Sequence, residues 1–315
     1  MLIEITQHGT SILRDHESVK IKTKEDMTEI PIEKIDAILI SCNCTISSQA
    51  IKLCLERNIQ IVFSDWSGKP YARVWNSSFG KTAVLRRKQY LLQESNLANE
   101  LCKEIVLKKL QKQRRFALSI KKNRKSSTPE LVQFLTHVNE TIAKITKIPT
   151  KNIDKESLRG LEGSAGRMYF AALSSILPTK WRFSRRSQHP AEDEFNATLN
   201  YVYGIGYTSV EKVIILSGLD PNSGFFHSDA YSKPTLSYDI IEIIRPRLDE
   251  IILPFFTKKI ANESWFETQD AEGIFLSKEA RREILTSFQK KAQKIMESEV
   301  WEFCRCIINR LDTET

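Results

Sequence analysis

Asn76-Ser-Ser-Phe-Gly80 is the stretch at which the pattern of the chain changes, and it decides the fold class. Before it, short apolar segments alternate with turn residues, as at His8-Gly9 and Ser67-Gly68, which is typical of β-strands. After it, apolar residues recur at helical spacing towards the C-terminus. The sequence therefore predicts an α+β protein, with a small N-terminal β-sandwich-like domain over residues 1–80 and an all-α domain over residues 81–315.

The N-terminal domain is predicted to hold seven short strands and one helix. The helix covers Ser48–Glu56, and Ser47 is its expected N-cap. The strands are expected at Leu2–Thr6, Ser11–Arg14, Val19–Lys22, Glu29–Pro31, Ala37–Ser41, Gln60–Ser64 and Tyr71–Trp75.

The second domain is predicted to begin with a long basic helix from Lys81 to Lys121. Pro178–Asp193, which is rich in charge and broken by prolines, is expected to be a mobile loop beside a functional site. Further helices are expected at residues 130–146, 153–174, 194–203, 207–217, 236–262 and 277–310.

The positive charge of the chain is concentrated in one segment. The net charge is +8, from 47 basic and 39 acidic residues. Residues 86–125 alone hold 13 basic and 3 acidic residues, whereas residues 1–85 are neutral and residues 126–315 are slightly acidic. A basic helical face of this kind is either a surface for a phosphate backbone or a solvated helix face.

The composition favours a cytoplasmic protein. The apolar runs are too short to cross a bilayer, and we expect no signal segment at the N-terminus and no membrane partner. The six cysteines are expected to be reduced thiols. Two Cys-x-Cys pairs, at 42/44 and 304/306, have a spacing shorter than structural zinc sites use, so zinc is not expected.

Four residues of metal-binding type lie in segments that indicate a site. Glu162 is surrounded by glycines in Leu158-Arg-Gly-Leu-Glu-Gly-Ser-Ala-Gly-Arg167, which indicates that another element or a nucleic-acid strand approaches the backbone there. His227 ends the loop Gly218-Leu-Asp-Pro-Asn-Ser-Gly-Phe-Phe-His227. Asp239 and Glu242 are three apart on a predicted helix and share a face. Carboxylates with one imidazole suit Mg²⁺ or Mn²⁺, so these four are the candidate catalytic residues.

A divalent metal in such a site predicts phosphodiester chemistry, in which water or a 3′-hydroxyl attacks a phosphate without a protein nucleophile. A tyrosine recombinase is the competing design. Its His-x-x-Arg element would require arginine at position 230, where this chain has Ala230.

Basic residues near these motifs are candidate contacts for DNA phosphates, and surface ion pairs are the alternative for each of them. The candidates are Lys108, Lys112, Arg115, Arg185, Arg186, Lys233, Arg245 and Arg247.

The chain resembles the CRISPR-associated integrases, often called endonucleases, that insert new spacers during adaptation. In the N-terminal part, Gln7-His-Gly-Thr10, Ile30-Pro-Ile32, Thr45-Ile-Ser-Ser48 and Ile61-Val-Phe-Ser-Asp-Trp-Ser-Gly-Lys-Pro-Tyr71 follow the order of the β-domain of that family. In the second part, Ala98–Gln113 resembles its first long helix. The segments around Glu162 and His227, and Ser237-Tyr-Asp-Ile-Ile-Glu-Ile-Ile-Arg-Pro246, are similar to its ligand-bearing segments.

The resemblance implies that Glu162, His227 and Glu242 are the metal ligands and that Asp239 is a neighbouring acidic residue of the site. It implies Mg²⁺ or Mn²⁺ as cofactor and double-stranded DNA, both captured fragment and repeat, as substrate. The expected reaction joins 3′-hydroxyl ends of the captured DNA to phosphates of the repeat. The expected partners are a second copy bound through the β-domain and a small subunit of the adaptation complex.

Two alternatives remain open on the sequence alone. One is a stand-alone nuclease that acts on branched DNA, and the other is a DNA-binding assembly subunit without catalysis.

Overall fold

The computed structural model describes residues 1–64, 70–74, 82–93, 95–124, 127–188, 190–227, 233–269 and 273–313. The chain divides into two compact units, Met1–Gly80 and Lys81–Thr315. The first unit is β-rich and contains two sheets, and the second is mainly helical, so the predicted fold class is confirmed. The predicted turn at Ser67-Gly68 and the stretch Asn76–Gly80 lie outside the described residues.

The two sheets of the first unit are mixed rather than purely antiparallel. The first has the order β1-β5-β7-β8, in which β1, β5 and β7 are parallel and β8 is antiparallel to β7. The second has the order β4-β3-β2-β6, with β6 parallel to β2. The elements are β1 Leu2–Ile5, β2 Thr10–Asp15, β3 Ser18–Lys22, β4 Met27–Pro31, β5 Ala37–Ile40, β6 Cys44–Ile46, α1 Ser48–Glu56, β7 Gln60–Ser64 and β8 Pro70–Val74.

Both sheets bury their apolar residues in one core. Ile12 and Val19 come from the second sheet, Ile38 and Ile61 from the first, and Leu53 from α1. Helix α1 begins as predicted, because the Ser47 hydroxyl accepts a hydrogen bond of 3.2 Å from the amide of Ala50. Strand β6 was not among the predicted strands.

The second unit contains eight α-helices and one β-hairpin within the residues that are described. They are α2 Thr82–Leu92, α3 Asn96–Lys122, α4 Pro129–Lys147, α5 Lys155–Ile176, α6 Glu194–Leu216, α7 Thr235–Thr257, β9 Phe266–Gln269, β10 Gly273–Leu276, α8 Lys278–Phe288 and α9 Lys294–Thr313. A π-helical turn, Gln289–Gln293, separates α8 from α9. None of the described helices is both long and apolar enough to span a membrane.

Three predictions of helix boundaries were wrong. The single basic helix is broken into α2 and α3, because the Ser95 hydroxyl caps the start of α3 by accepting from Ala98. The two helices expected over residues 194–203 and 207–217 are one, α6. The helix expected over residues 236–262 ends at Thr257 and is followed by the β9–β10 hairpin.

Close packing of α6 against α7 explains why α6 continues through its glycines. A Cβ atom on Gly206 would lie 2.7 Å from Leu248 Cδ1 and 3.2 Å from Ile241 Cδ1, so these side chains of α7 pack directly on the glycine and would have to shift for a larger residue. Helix α7 is buried over most of its length and contacts α3, α6 and α9. It is therefore the central element of the unit, and it carries both Asp239 and Glu242.

The segment Pro178–Asp193, predicted to be a mobile loop, is anchored by buried aromatic side chains. Trp181 and Phe183 are both buried. The Phe183 ring stacks on Phe195 of α6 at a centroid distance of 5.2 Å.

Candidate active site

Glu162 and Glu242 converge on a single cation supplied by the protein. Glu162 lies on α5 and Glu242 on α7, and the ammonium of Lys109 on α3 donates a hydrogen bond to Oε1 of Glu162 and to Oε2 of Glu242. Lys109 is only 7% exposed. The fold therefore brings two carboxylates, 80 positions apart in the sequence, to one buried positive charge.

The charges of this cluster are mutually compensated. Burial raises the pKa of Glu242, but Arg245 and Lys109 together outweigh it and hold the pKa at about 2. Burial lowers the pKa of Lys109, and the two carboxylates more than offset this, so the pKa of Lys109 is raised. At neutral pH Glu242 is therefore a carboxylate and Lys109 an ammonium ion.

His227 and Asp239 form a second part of the site. Asp239 is fully buried, and its carboxylate accepts the backbone amides of Phe225 (2.6 Å), Phe226 (2.9 Å) and His227 (2.9 Å). The same carboxylate lies 2.6 Å from Nδ1 of the His227 ring. A carboxylate at Nδ1 favours the tautomer in which that nitrogen carries the proton, which leaves Nε2 as the free ligand or acceptor atom.

The loop that carries His227 lies tightly against the start of α7, because residue 224 is glycine. A Cβ atom at Gly224 would lie 2.7 Å from the backbone carbon of Thr235 and 2.8 Å from Oδ2 of Asp239. The amide of Gly224 donates to the Thr235 hydroxyl (2.9 Å), which donates in turn to the carbonyl of Asn222 (2.7 Å). Gly224 therefore lets the loop come close enough for Asp239 to bind three consecutive amides.

The four sequence-predicted residues form two pairs. Lys109 joins Glu162 to Glu242, and a hydrogen bond joins His227 to Asp239. Tyr238 and Arg245 lie between the pairs. The Tyr238 ring contacts the rings of His227 and Tyr207, and Tyr207 accepts from Arg245, which also binds Glu242. Within the part of the chain that the structure describes, no three His, Cys, Asp or Glu side chains are arranged to hold a metal ion.

The donor set nevertheless fits a hard divalent cation. Two carboxylates and one imidazole nitrogen are ligands that Mg²⁺ and Mn²⁺ accept. Because both carboxylates bind the Lys109 ammonium, Glu162 and Glu242 can bind a single cation together. Lys109 and the glutamates would have to separate for a metal to take that position.

The prediction that another element of the protein packs against the glycines around Glu162 was wrong, and the alternative, the approach of a nucleic-acid strand, stays a prediction. A Cβ atom on Gly160 would have no neighbour within 4 Å, and those on Gly163 and Gly166 would make only ordinary contacts, of 4.0 Å and 3.9 Å. Among the described residues, no other element approaches the α5 backbone at these positions.

Aromatic residues and Arg245 line the same region. Arg245 donates to Oε1 of Glu242 and, at 2.7 Å, to the hydroxyl of Tyr207. Its guanidinium lies 5.1 Å from the ring centroid of Tyr203. Tyr238 lies between the two parts of the site, with ring centroids 5.4 Å from Tyr207 and 6.2 Å from His227.

Most of the predicted DNA-binding residues have partners inside the protein. Arg186 is largely enclosed and donates to the side-chain oxygens of Asn196 (3.0 Å) and Asn200 (2.6 Å). Arg185 forms an ion pair with Glu192 at 2.5 Å on the surface. Arg245 is held by Glu242, as described above.

Two of the predicted residues, Lys112 on α3 and Arg247 on α7, meet a glutamate of α9. Lys112 lies 2.8 Å from Glu299, and Arg247 binds the other oxygen of the same carboxylate at 2.9 Å. Lys108 pairs with Glu104 at 3.3 Å. Arg115 and Lys233 are exposed. Arg115 and Lys108 line a cleft of about 670 Å³ between α3 and α9.

Sequence reasoning missed Lys109 as a site residue. It was counted with the basic run, although it lies on the apolar stripe of α3, between Ile105 and Gln113, which are both buried. A lysine at a buried helical position requires an acidic partner, and that is the signal that could have identified it.

The chain matches one protein family over most of its length. The model of the family described as "CRISPR associated protein Cas1" matches residues 3–290. The CRISPR-associated endonuclease Cas1 1 of Thermodesulfovibrio yellowstonii is 28% identical over 314 residues, which cover 98% of this chain and 96% of that protein. The protein of the same name from Archaeoglobus fulgidus is 32% identical over 286 residues, which cover 87% and 82% of the two chains.

Solved structures share the fold. A Cas1 protein from Thermotoga maritima superposes with a TM-score of 0.81 at 19% identity, covering 99% of this chain and 97% of that chain. A casposase bound to its integration product gives a TM-score of 0.82 at 20% identity, covering 98% and 91%. A chain of a Cas6-RT-Cas1–Cas2 complex gives a TM-score of 0.84 at 22% identity. The superposition covers 100% of this chain and 35% of that longer chain.

Proposed function

This chain belongs to the Cas1 family of CRISPR-associated proteins, and we propose that it is a divalent-metal-dependent DNA integrase and endonuclease of CRISPR adaptation. In the proposed reaction it joins 3′-hydroxyl ends of captured DNA to phosphates of the CRISPR repeat. The observation that carries the proposal is the convergence of Glu162 and Glu242 on one cationic position, beside a histidine whose free nitrogen is fixed by Asp239.

Each residue of the site has a distinct proposed role. Glu162, Glu242 and Nε2 of His227 would hold Mg²⁺ or Mn²⁺, whose chemistry is to polarise a phosphoryl oxygen. Asp239 is a positioning residue, because every contact described for its carboxylate goes to the His227 loop or ring. Arg245 keeps Glu242 ionised and correctly oriented.

The proposed DNA surface combines exposed and paired basic residues. Arg115, Lys233 and Arg185 are exposed and would contact phosphates directly. Lys108, Lys112 and Arg247 would do so by exchanging their glutamate partners for phosphate oxygens. Arg186 and Arg245 are enclosed, and we propose that they support the site through contacts within the protein rather than by binding DNA.

The proposed partners are double-stranded DNA, a second copy bound through the N-terminal unit, and a small adaptation subunit. A similarly folded chain is found in a complex with Cas2, and a similarly folded casposase is bound to an integration product. We propose that the N-terminal unit, residues 1–80, mediates dimerisation and that residues 81–315 carry catalysis. The site of action proposed for this protein is the cytoplasm.

The test of the proposal is integration into a repeat-bearing plasmid with Mn²⁺ and the small partner subunit present. Glu162→Ala, His227→Ala and Glu242→Ala are each expected to lower the rate of joining at least about 100-fold, because even an outer partner of a metal ligand is worth 10–100-fold. Binding of DNA in a gel-shift assay should remain near the wild-type level.

Glu263→Ala is the control for this experiment. It removes a surface glutamate whose carboxylate lies 3.4 Å from Lys180, and neither residue is among those proposed to bind metal or DNA. Its joining rate should equal that of the wild type. Normal joining by all three site variants would refute the assignment. If the unmutated protein itself binds DNA but joins none, the non-catalytic assembly subunit is favoured.

A further inference from the structure

Helix α2 binds the loop that leads to His227. Gln89 of α2 is completely buried, and its Nε2 donates to the carbonyls of Asp220 (2.9 Å) and Ser223 (2.8 Å). Its Oε1 accepts the amide of Asp220 at 2.8 Å. One side chain thus satisfies three backbone groups of a buried loop, which would otherwise lack partners away from water.

Two further side chains of α2 and its C-terminal end reinforce this contact. Gln93 donates to the Ser223 hydroxyl and to the Gly224 carbonyl, both at 3.0 Å. The hydroxyl of Tyr90 donates to Oδ2 of Asp220 at 2.5 Å. The contacts cover residues 220–224, the part of the loop just before the residues that Asp239 binds.

The loop is therefore fixed in two consecutive halves. Gln89 and Gln93 hold residues 220–224, and Asp239 holds the amides of residues 225–227. Arg159 of α5 adds a hydrogen bond to the Phe226 carbonyl. The contacts of Asp239 require residues 220–224 to stay in place, because Gly224 packs against the start of α7 so closely that a Cβ atom would not fit.

We propose that Gln89 is a positioning residue for His227: through residues 220–224 it sets the place at which the histidine presents Nε2. The proposal rests on the proposed function in that His227 is taken as a metal ligand. It assigns to α2, the first described helix after residue 81, a direct role in building the site.

The first test uses hydrogen exchange and does not involve metal. Gln89→Met keeps the length and volume of the side chain but removes all three hydrogen bonds. The amides of Phe225, Phe226 and His227 should exchange at least about 10-fold faster in the variant, because their bonds to Asp239 then open more often. Gln93→Met, at a half-buried position, should produce a smaller change of the same sign.

Gln293→Met is the matched control. Gln293 is also buried, and its amide donates to Glu297 at 3.3 Å in the π-helical turn, outside the loop. It should leave the exchange of residues 225–227 unchanged even if it lowers global stability. Unchanged exchange at these amides in both Gln89→Met and Gln93→Met would overturn the proposal.

The second test measures Mn²⁺ affinity in a double-mutant cycle. Gln89→Met should weaken Mn²⁺ binding by about 10-fold, as expected for a residue that orients a ligand from outside. In a His227→Ala background the same substitution should have no further effect. An equal loss in both backgrounds would show that Gln89 acts on the fold rather than through His227, which would overturn the proposal.

The two proposals fail in different ways. If His227→Ala leaves Mn²⁺ affinity unchanged, His227 is not a ligand, and the proposed function and the role of Gln89 in metal binding both fall. If His227→Ala weakens binding and Gln89→Met does not, only the inference about α2 is wrong.

Discussion

The ammonium of Lys109 is buried and is stabilised by two acidic partners. Its ammonium binds Glu162 and Glu242, and all three side chains are removed from most of the solvent. Removing one member of a buried ion-pair cluster leaves the others uncompensated, at a cost of about 3–5 kcal/mol. The residue is thus a sensitive reporter of the charge balance at the proposed metal position.

Lys109→Met is expected to lower the Tm in the presence of a chelator, because Glu162 and Glu242 lose their shared counter-ion and only Glu242 keeps another, Arg245. Added Mn²⁺ should raise the Tm of the variant more than that of the wild type, since the cation meets no competing ammonium and binds the folded state more tightly. Thermal unfolding in EDTA and at several Mn²⁺ concentrations measures both effects.

Lys103→Met is the control on the same helix, because the Lys103 ammonium binds the carbonyls of Thr146 (3.0 Å) and Ile148 (2.6 Å), away from the two glutamates. Its response to Mn²⁺ should match that of the wild type. A Mn²⁺-dependent gain in Tm that is no larger for Lys109→Met than for the wild type would contradict the role of Lys109 as a counter-ion at that position.

Single residues can be predicted from the sequence where a motif marks them. The segments around Glu162, His227, Asp239 and Glu242 predict a site, but they do not predict that the Asp239 carboxylate binds the amides of residues 225–227. Gln89 and Lys109 carry no motif. Their importance comes from groups 131 and 133 positions away in the chain, and such contacts exist only after folding.

At the scale of elements, the sequence predicted the existence of helices better than their limits. A serine inside a helical pattern is either a break or a tolerated residue, and Ser95 proved to be a cap. A glycine pair is likewise either a break or a packing contact, and α6 continues through Gly204 and Gly206 because Leu248 lies against the latter. At Ser95 a local hydrogen bond to Ala98 sets the start of the helix, whereas at Gly206 tertiary packing outweighs local propensity.

The contrast between Gly224 and Gly160 leads to a prediction about these elements. Gly224→Ala is expected to destabilise the protein by about 1–3 kcal/mol, because the new methyl group meets the Thr235 backbone, which cannot move aside. Gly160→Ala adds the same methyl group in the interior of α5, where nothing lies within 4 Å, and should stabilise by up to about 1 kcal/mol. Urea unfolding of both variants measures the difference.

Each of these variants serves as the control for the other, since the chemical change is identical. Stabilisation of both would show that helix propensity or chain entropy, rather than space, governs these glycines, and destabilisation of both would contradict the open space at Gly160. A stabilised Gly224→Ala would in particular contradict the close seating of the His227 loop on α7.

For the molecule as a whole, neither the summed charge of a segment nor the number of strands predicted which residues and strands pair with each other. The basic excess of residues 86–125 predicts either a phosphate-binding face or a solvated helix face. In the structure, Glu299 of α9 neutralises part of it through Lys112, and Arg310 of α9 binds Glu104 of α3. The strands were largely placed correctly, but their parallel pairing was not predictable, because it depends on the crossovers rather than on the strands themselves.

Global stability should depend on pH through Asp249, which is buried beneath the site. The hydroxyls of Tyr169 (2.8 Å) and Tyr203 (2.7 Å) donate to its two oxygens. Burial raises the pKa of Asp249 to about 6, although the hydrogen bonds from Tyr203 and Tyr169 act in the opposite direction. The folded state therefore holds this proton at pH values where the unfolded chain, with a carboxyl pKa near 3.9, has already lost it.

The sign of the effect follows from proton linkage. Between about pH 4 and pH 6 the folded state binds more protons at this group than the unfolded state, so its contribution to stability decreases as the pH rises, by up to about 3 kcal/mol in total. Asp249→Asn stays neutral and lacks this dependence. The unfolding free energy of the wild type minus that of Asp249→Asn, from urea titrations at pH 4 to 7, should therefore fall with pH and level off above pH 6. A difference that is constant or that increases over this interval would show that Asp249 is ionised in the folded protein, held as a carboxylate by the two tyrosines.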